Sequence, residues 1–406
     1  MGTATRAAQG KVSAIRAARM FDGRTLHKDP LLVIDGSRIA TLDTAPACTP
    51  PDWRILDLGD VTLLPGLIDA HVHLAFDPAS RANHAVMADE DTATILSRMR
   101  RHALQQLRAG VTTVRDLGDR DYLAVGLRDE FAANPEAGPD IVAAGPPITR
   151  TRGHCWFLGG EADGVAGVQA AVAERVAHGA DVIKVMATGG AITPGWAQHE
   201  SQYTFEELAA VTQAAHALGT SITAHAHGRR GIIDAVAAGV DGIEHGSFFT
   251  AQGVEPDWRT VDVMIQAGTF VGATEALLPE GASLGPGVAE RLEQRGANFV
   301  RMHRQGLRLV CASDAGVHLR KPHGVLPVGI IYFGAIGLTN VDALASATTV
   351  AAEACGLADR KGRIAAGYDA DLVAVAGNPL DRLEALLDVR AVIRMGRLVG
   401  SEQLGI

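Results

Sequence analysis

Short apolar runs alternate with Ala-rich helical segments through the middle of the chain. The runs predict strands at residues 64–73, 112–117, 141–144, 182–187, 221–227, 242–245, 269–273 and 307–313. Segments with helical spacing lie between them, among them residues 92–109, 167–178, 204–218 and 231–238. Strand–helix alternation predicts a parallel sheet, and eight repeats predict an α/β fold closed into a (β/α)8 TIM barrel. The alternative is a doubly wound sheet, but no Gly-rich phosphate-binding loop follows the first strand.

Both ends of the chain have a different texture. Short apolar runs at residues 13–20, 31–34, 38–42 and 54–58 are joined by turns such as Asp22-Gly23 and Asp35-Gly36. The texture returns at residues 371–376 and 391–399, around Gly377-Asn378-Pro379. Such runs are typical of β-strands joined by tight loops. We therefore expect one small β-domain that is built from both termini and interrupted by the barrel.

Composition narrows the class of protein. A barrel of about 250 residues leaves room for the small domain in a chain of 406 residues. The net charge of −9 argues against a nucleic-acid partner, because phosphate binding depends on Lys and Arg. Four scattered cysteines (Cys48, Cys155, Cys311 and Cys355) form no C-x-x-C pair, which is typical of reduced thiols in the cytosol.

The sequence also bears on localisation and partners. Residues 1–24 contain no apolar signal-peptide core, and no run reaches the ~18 apolar residues of a membrane span. We expect a cytoplasmic protein that acts on a small-molecule substrate and has no membrane partner. A homo-oligomer is left open.

Metal-capable side chains end several of the predicted strands. His71 and His73 close the first one, and residues i and i+2 of a strand point to the same face, so both imidazoles can reach one metal ion. An isolated H-x-H pair often consists of two exposed polar residues without a function. Here the pair closes a barrel strand at its carboxyl end, where the active sites of barrels lie, and this position favours a metal site. His225, His245 and Asp314 end three further strands. A single His or Asp at the end of a strand is usually a cap. Caps do not explain why several predicted strands each place a metal-capable side chain at the same end of the barrel.

Lys184 stands in the middle of an apolar strand. Burial disfavours an ammonium ion and lowers its pKa. A neutral amine can react with CO2 to give a carbamate, whose oxygens would bridge two metal ions. The alternative is a lysine that reaches solvent or pairs with a carboxylate.

Together these motifs resemble the amidohydrolase superfamily. Its opening signature is similar to Pro-Gly-Leu-Ile-Asp-Ala-His-Val-His at 65–73, and its return into a small β-sandwich is similar to residues 365–373. The resemblance implies a β-sandwich at 1–63 and 362–406 and a catalytic barrel at 64–361. Five motifs resemble the branch of Xaa-Pro and Xaa-Arg dipeptidases, with imidazolonepropionase-like and ochratoxin-hydrolysing relatives: Gly153-His154, Lys184-Val185, Gln202-Tyr203, His225-Ala226-His227 and Ile243-Glu244-His245-Gly246.

The resemblance implies two divalent metal ions, for which this ligand set suits zinc best. The ligands would be His71, His73 and Asp314 for one metal, His225 and His245 for the other, and carbamylated Lys184 as the bridge. A metal-bridging hydroxide would attack an amide carbonyl, and Asp314 would be the general base and then the general acid.

Four residues are candidates for contact with substrate. His227 shares a face with His225 and would donate to the oxyanion, unless it merely orients its neighbour. His154, Arg152 and Tyr203 lie on rim loops as further candidates; a loop histidine and a solvated loop cation are the plainer readings of the first two. Glu244 alternates to the other strand face from His245 and is expected to be a buried partner.

Three functions fit these residues. The first is hydrolysis of a dipeptide, an N-acyl amino acid or a related conjugate. The second is hydrolysis of a cyclic amide or imide, or ring closure in reverse, and the third is a barrel kept as a non-catalytic scaffold. Two departures from the dipeptidase branch put a dipeptide in doubt: Arg152 precedes Gly153, and the apolar stretch 325–331 either packs on the barrel or faces a less polar substrate.

Overall fold

The computed structural model describes residues 13–43, 53–80, 87, 89–279 and 288–400. In chain order, the strands of these residues are β1 Ala14–Arg16, β2 Arg19–Phe21, β3 Leu26–Lys28, β4 Leu31–Asp35, β5 Arg38–Asp43, β6 Ile55–Asp57, β7 Val61–Pro65, β8 Leu67–Val72, β9 Val111–Asp116, β10 Asp140–Ala143, β11 Val182–Met186, β12 Ser221–Gly228, β13 Gly242–Phe249, β14 Phe270–Ala273, β15 Arg308–Cys311, β16 Leu372–Ala376, β17 Val389–Arg394 and β18 Arg397–Leu398. The helices are α1 Thr92–Arg108, α2 Leu123–Ala133, α3 Gly164–Ala177, α4 Phe205–Ala217, α5 Arg229–Ala237, α6 Trp258–Ala267, α7 Val288–Arg304, α8 Leu326–Ile336, α9 Asn340–Ser346 and α10 Thr349–Ala354, with 3₁₀ turns at Trp156–Leu158 and Leu383–Leu387.

Parallel strands and helices alternate through the centre of the chain. The strands form two sheets with the orders β10-β9-β8 and β11-β12-β13-β14-β15. Parallel bridges join Val72 to Ala315 and Ile148 to Val185, so each edge of one sheet meets an edge of the other. The predicted α/β fold with parallel sheets is confirmed, and the two bridges are consistent with the closed barrel.

The predicted strand 64–73 is wrong as a single element, because the chain changes sheets at Gly66. β7 pairs with β16 near the chain ends, and β8 pairs with β9 in the barrel. A Cβ at Gly66 would lie 2.1 Å from Oγ1 of Thr112. Only glycine therefore permits this close approach of the chain to β9.

Strands from both chain ends form two further sheets, with the orders β5-β4-β1-β6 and β18-β17-β16-β7-β2-β3. Apolar side chains of both sheets share one buried cluster, which includes Ile15, Leu32, Leu63, Leu372 and Ile393. The predicted strands 13–20 and 391–399 are each two strands. Residues 13–20 divide between the two sheets as β1 and β2, and a turn at Met395 and Gly396 separates β17 from β18.

The apolar stretch after residue 324 packs against the barrel. It forms the start of α8, where Leu326 and Ile330 are fully buried. A Cβ at Gly329 would lie 2.9 Å from Sγ of Cys311 on β15. Of the two readings of this stretch, packing on the barrel is the one that the structure supports.

Two further sequence expectations concern cysteines and membranes. Cys155, Cys311 and Cys355 are free thiols, and Cys48 lies outside the described residues. Among the helices described, none combines the length and the apolar character needed to cross a bilayer.

A buried ionic cluster joins the barrel to the sheets of the chain ends. Lys361 lies 3.2 Å from a carboxylate oxygen of Asp140 on β10 and 3.2 Å from one of Asp369, and it also bonds to Asp371. Arg394 on β17 lies 3.1 Å from Asp371. Buried charges are tolerated only when they are paired, so this cluster fixes how the two parts of the chain meet.

We expect Lys361→Met to lower the free energy of unfolding by about 3–5 kcal/mol, because it leaves buried carboxylates without their partner. Urea unfolding followed by circular dichroism measures the change. Arg390→Met is the control, since its ion pair with Asp388 is more than half exposed and such pairs contribute about 0–1 kcal/mol. Equal losses in the two variants would contradict a stabilising role of the cluster.

Candidate active site

The first group of metal-capable side chains comes from β8 and the segment after β15. Oδ1 of Asp314 lies 3.5 Å from Nε2 of His71 and 3.4 Å from Nε2 of His73. The other ring nitrogens face away from this point, since Nδ1 of His73 lies 3.2 Å from the carbonyl oxygen of Gly118. Three ligand atoms therefore converge within 4.8 Å of one another.

The buried carboxylate of Glu244 orients His71. Its Oε2 lies 2.8 Å from Nδ1 of His71, and its Oε1 accepts from Arg115 at 2.9 Å and from Thr223 at 2.7 Å. Burial alone would raise the pKa of Glu244. The positive charges of Arg115 and His71 lower that pKa by a larger amount, so the net shift is downward. An ionised carboxylate holds Nδ1 of His71 protonated and leaves Nε2 as the ligand atom. The expected role of Glu244 as a buried partner agrees with this geometry.

The second group consists of His225 and His227 from β12 and His245 from β13, whose ligand atoms also lie within 4.8 Å of one another. Nε2 of His225 lies 3.0 Å from the carbonyl oxygen of Gly189, and Nδ1 of His245 lies 2.9 Å from the Thr274 hydroxyl. The remaining nitrogens, Nδ1 of His225 and Nε2 of His245, face each other at 2.9 Å.

Burial lowers the pKa of all three of these histidines well below the usual value. They are therefore neutral imidazoles, which is the form that ligates metals.

Two of the site residues have left-handed backbone conformations. φ is 72° at His245 and 56° at Asp314, which is uncommon for residues other than glycine. Each follows an ordinary stretch of strand, and the change of backbone direction turns the side chain into the site. Strain of this kind persists only where surrounding contacts enforce it.

Lys184 lies on β11, where it pairs with Thr223 of the neighbouring strand β12, two residues before His225. It is 2% exposed, and among the described residues Nζ has no hydrogen-bond partner. Burial lowers the pKa of Lys184 to about 8. A buried amine without a partner is costly, and this observation fits a modified side chain better than a free ammonium.

The side chains thus fit divalent metal ions. Two converging groups of imidazoles and a carboxylate offer the nitrogen and oxygen ligands that zinc prefers. The unpartnered Nζ of Lys184 adds a position at which a carbamate would supply two more oxygens.

Lys321 is a further charged residue of the site, and the sequence analysis missed it. Nζ donates to the carbonyl oxygens of Thr274 and Ser313 at 2.8 and 3.0 Å, and it lies 3.6 Å from Oδ2 of Asp314. Burial alone would raise the pKa of Asp314. Lys321 and His71 lower that pKa by a larger amount, so the net shift is downward. The available signal was a cation seven residues after Asp314 in a loop, and such a cation is usually solvated.

Two of the four candidates for substrate contact lie at the site. The ring of His227 stacks on that of His245 at 4.2 Å between centroids, and its Nδ1 lies 2.8 Å from the Ser247 hydroxyl. The ring of His154 lies 4.6 Å from that of His225, and in the described structure its buried Nδ1 has no partner. Gly190 makes room for it, since a Cβ there would lie 2.3 Å from Nε2 of His154.

The other two candidates are engaged elsewhere. The guanidinium of Arg152 is exposed and lies 5.6 Å from the ring centre of Trp156. The hydroxyl of buried Tyr203 donates to the carbonyl oxygen of Ala162 at 2.7 Å. Neither contact brings the side chain to the two histidine groups.

The sequence of the chain is similar to those of known proteins. Residues 62–399 match the model of the amidohydrolase family. Ochratoxinase of Aspergillus niger is 27% identical over 364 residues, which cover 81% of this chain and 73% of that protein.

Solved structures agree with the sequence comparison. A Xaa-Pro dipeptidase with bound methionine in its active site is 31% identical, with a TM-score of 0.83 and coverage of 95% of this chain and 98% of that chain. A prolidase in complex with N-methylphosphonate-L-proline is 29% identical, with a TM-score of 0.81 and coverage of 95% and 98%.

We expect Glu244→Gln to weaken metal binding about 10- to 100-fold, as is typical when the partner of a ligating histidine is removed. The substitution keeps the shape of the side chain but removes the charge that orients His71. Competition with a fluorescent chelator measures the affinity. Glu130→Gln, at an exposed ion pair with Arg100, is the control, and equal affinities of the two variants would refute the orienting role.

Proposed function

The chain belongs to the amidohydrolase family and is a hydrolase of carbon–nitrogen bonds, and we propose that it cleaves an amide bond of a small molecule with two divalent metal ions. The observation that carries the proposal is the pair of ligand groups at the carboxyl ends of the barrel strands, with Lys184 buried and unpartnered among the described residues. Active sites of barrels occupy this end.

Each metal ion would have its own ligands, drawn from the two groups, and His227 of the second group would remain free to contact the substrate. His71, His73 and Asp314 would hold one ion, and His225 and His245 the other, with carbamylated Lys184 as the bridge. Zinc suits these ligands best. When bound, the ions would lower the pKa of a water molecule and polarise the amide carbonyl.

The protein's own residues move the proton and stabilise charge. Asp314 takes the proton of the attacking water and returns it to the leaving nitrogen, which completes the cleavage of the C–N bond. Nδ1 of His227 lies 2.8 Å from the Ser247 hydroxyl. With that hydroxyl donating to Nδ1, Nε2 would carry the proton and donate to the developing oxyanion. The depressed pKa of His227 keeps it a neutral donor.

The substrate is a dipeptide, an N-acyl amino acid or a related conjugate. A Xaa-Pro dipeptidase and an ochratoxinase are among the proteins that resemble this chain. His154, buried beside His225, is placed to contact it. Arg152 and Tyr203 would act only from the rim, because their groups are engaged with Trp156 and Ala162. Hydrolysis of a cyclic amide is the alternative, and a cytoplasmic location suits either.

We also infer that the chain is organised as a barrel, predicted at 64–361, and a β-sandwich, predicted at 1–63 and 362–406. The apolar cluster shared by the two sheets of the chain ends supports it. The change of sheets at Gly66 moves the first boundary to that residue, because Leu64 and Pro65 pair with β16. Residues 1–12, 44–52 and 401–406 of the second unit lie outside the described residues.

We expect about two zinc ions per chain and hydrolysis of N-acyl amino acids or dipeptides, with both lost in Lys184→Ala because the bridge is removed. Elemental mass spectrometry of protein prepared without added metal or chelator measures the first. Release of the free amino acid measures the second. About one ion per chain would favour the alternative function, and cyclic amides would then be the substrates to test. A metal-replete, active Lys184→Ala would refute the bridging carbamate.

We expect His227→Ala to keep its metal and to lose about 100- to 1,000-fold in kcat, as is typical for removal of one oxyanion donor. KM and metal content are measured on the same preparation. The exposed His216, paired with Asp241, gives the control His216→Ala. An unchanged kcat, or loss of metal from His227→Ala, would exclude the role as oxyanion donor.

A further inference from the structure

Lys321 follows β15 in a loop, but its ammonium group is directed into the site. Its side chain is 11% exposed, whereas a loop lysine usually extends its charged end into water. The loop returns on itself, since the amide of Gly316 donates to the carbonyl oxygen of Lys321 at 2.9 Å. The buried position is therefore imposed by the loop, and the charge needs compensation.

The ammonium group links the ends of two neighbouring strands. It donates to the carbonyl oxygen of Thr274, just after β14, and to that of Ser313, just after β15. An ammonium has three donors and no acceptor, so two are used here. The cation is thus fixed to the barrel and does not move with the rest of the loop.

The two oxygens of Asp314 face different partners. Oδ1 faces the Nε2 atoms of His71 and His73 at 3.5 and 3.4 Å, while Oδ2 lies 3.6 Å from Nζ of Lys321. Rotation of the carboxylate about its Cβ–Cγ bond would move Oδ2 away from the ammonium. The fixed cation beside Oδ2 therefore favours the observed rotation of the carboxylate plane, because the attraction between the charges falls with distance.

We propose that Lys321 is a positioning residue that holds Oδ2 of Asp314 in place to accept and return the reaction's proton. The inference rests on the proposed function. Lys321 takes no part in the proton transfer: the proton moves from the attacking water to Oδ2 and then to the leaving nitrogen. Oδ1 continues to face His71 and His73, where it would be a metal ligand.

The same cation reaches the second group of histidines through Thr274. The carbonyl oxygen of Thr274 binds Lys321, and its hydroxyl lies 2.9 Å from Nδ1 of His245. Lys321 contacts the backbone of Thr274 and not its hydroxyl, so we expect His245 to keep this partner when the ammonium is removed.

The test compares Lys321→Met with Arg320→Met. Arg320 is the matched control because it is the neighbouring cation and also joins the two loops, with Nε donating to the carbonyl oxygen of Leu278 at 2.7 Å. We expect Lys321→Met to lose about 100-fold in kcat, since misplacing a catalytic group by about 1 Å costs of that order. KM and metal content stay near the wild-type values, and Arg320→Met keeps its kcat.

Two additions make the outcome specific. Ethylamine added to Lys321→Ala should restore part of kcat, because the free amine can occupy the position of the missing ammonium. Lys321→Gln, which keeps a donor but no charge, replaces Lys321→Met if the latter does not fold. An unchanged kcat, an equal loss in Arg320→Met, or loss of metal along with activity would each overturn the inference.

Failure of the proposed function would be recognised separately. If the wild-type protein hydrolyses no amide, visible absorption of the cobalt(II)-substituted protein still reports the position of Asp314. We then expect the cobalt bands to change in Lys321→Met and not in Arg320→Met. Identical spectra of all three proteins would overturn the role of Lys321, whatever the reaction is.

Discussion

The carboxylate of Glu244 lies inside the barrel with 1% of its surface exposed, and it binds side chains from three other strands: Arg115 on β9, Thr223 on β12 and His71 on β8. A buried carboxylate must be fully hydrogen-bonded and charge-compensated to remain ionised. Meeting that requirement fixes strands on opposite sides of the barrel relative to one another. The first ligand group is built on His71, so its geometry depends on this single ion.

Much of the site follows from sequence because its ligands occupy regular positions. His71 and His73 are two residues apart at the end of a strand, and His225 and Lys184 are brought together by neighbouring parallel strands. Period-two alternation then predicts which side chains share a face. The same rule put Glu244 and His245 on opposite faces, yet Glu244 bonds to His71 and the His245 ring lies 5.2 Å from that of His71. The positive φ of His245 breaks the alternation, and no pattern of apolar residues encodes it.

Other features depend on contacts between segments that are distant in sequence. Lys321 acquires its partners only because β14 and β15 are neighbours, so that Thr274 and Ser313 lie within reach of one amine. The change of sheet at Gly66 depends on its close approach to Thr112. Arg152 illustrates the converse, because its place on a rim loop near His154 suggested the site while its guanidinium lies over Trp156. The local sequence predicts where strands lie and which residues they carry. The contacts of Lys321, Gly66 and Arg152 depend instead on how distant segments pack together.

The backbone bonds that close the barrel at one seam also carry the first ligand group. The amide of Asp314 donates to the carbonyl oxygen of His71 at 2.7 Å, and the amide of His73 donates to that of Ala315 at 3.0 Å. Ligand geometry and closure of the fold therefore cannot vary independently. A substitution that shifts this seam would therefore disturb folding and ligand geometry together. The rim loops that hold His154 and Arg152 take no part in these two bonds, so substitutions there can change what the site contacts without disturbing closure at this seam.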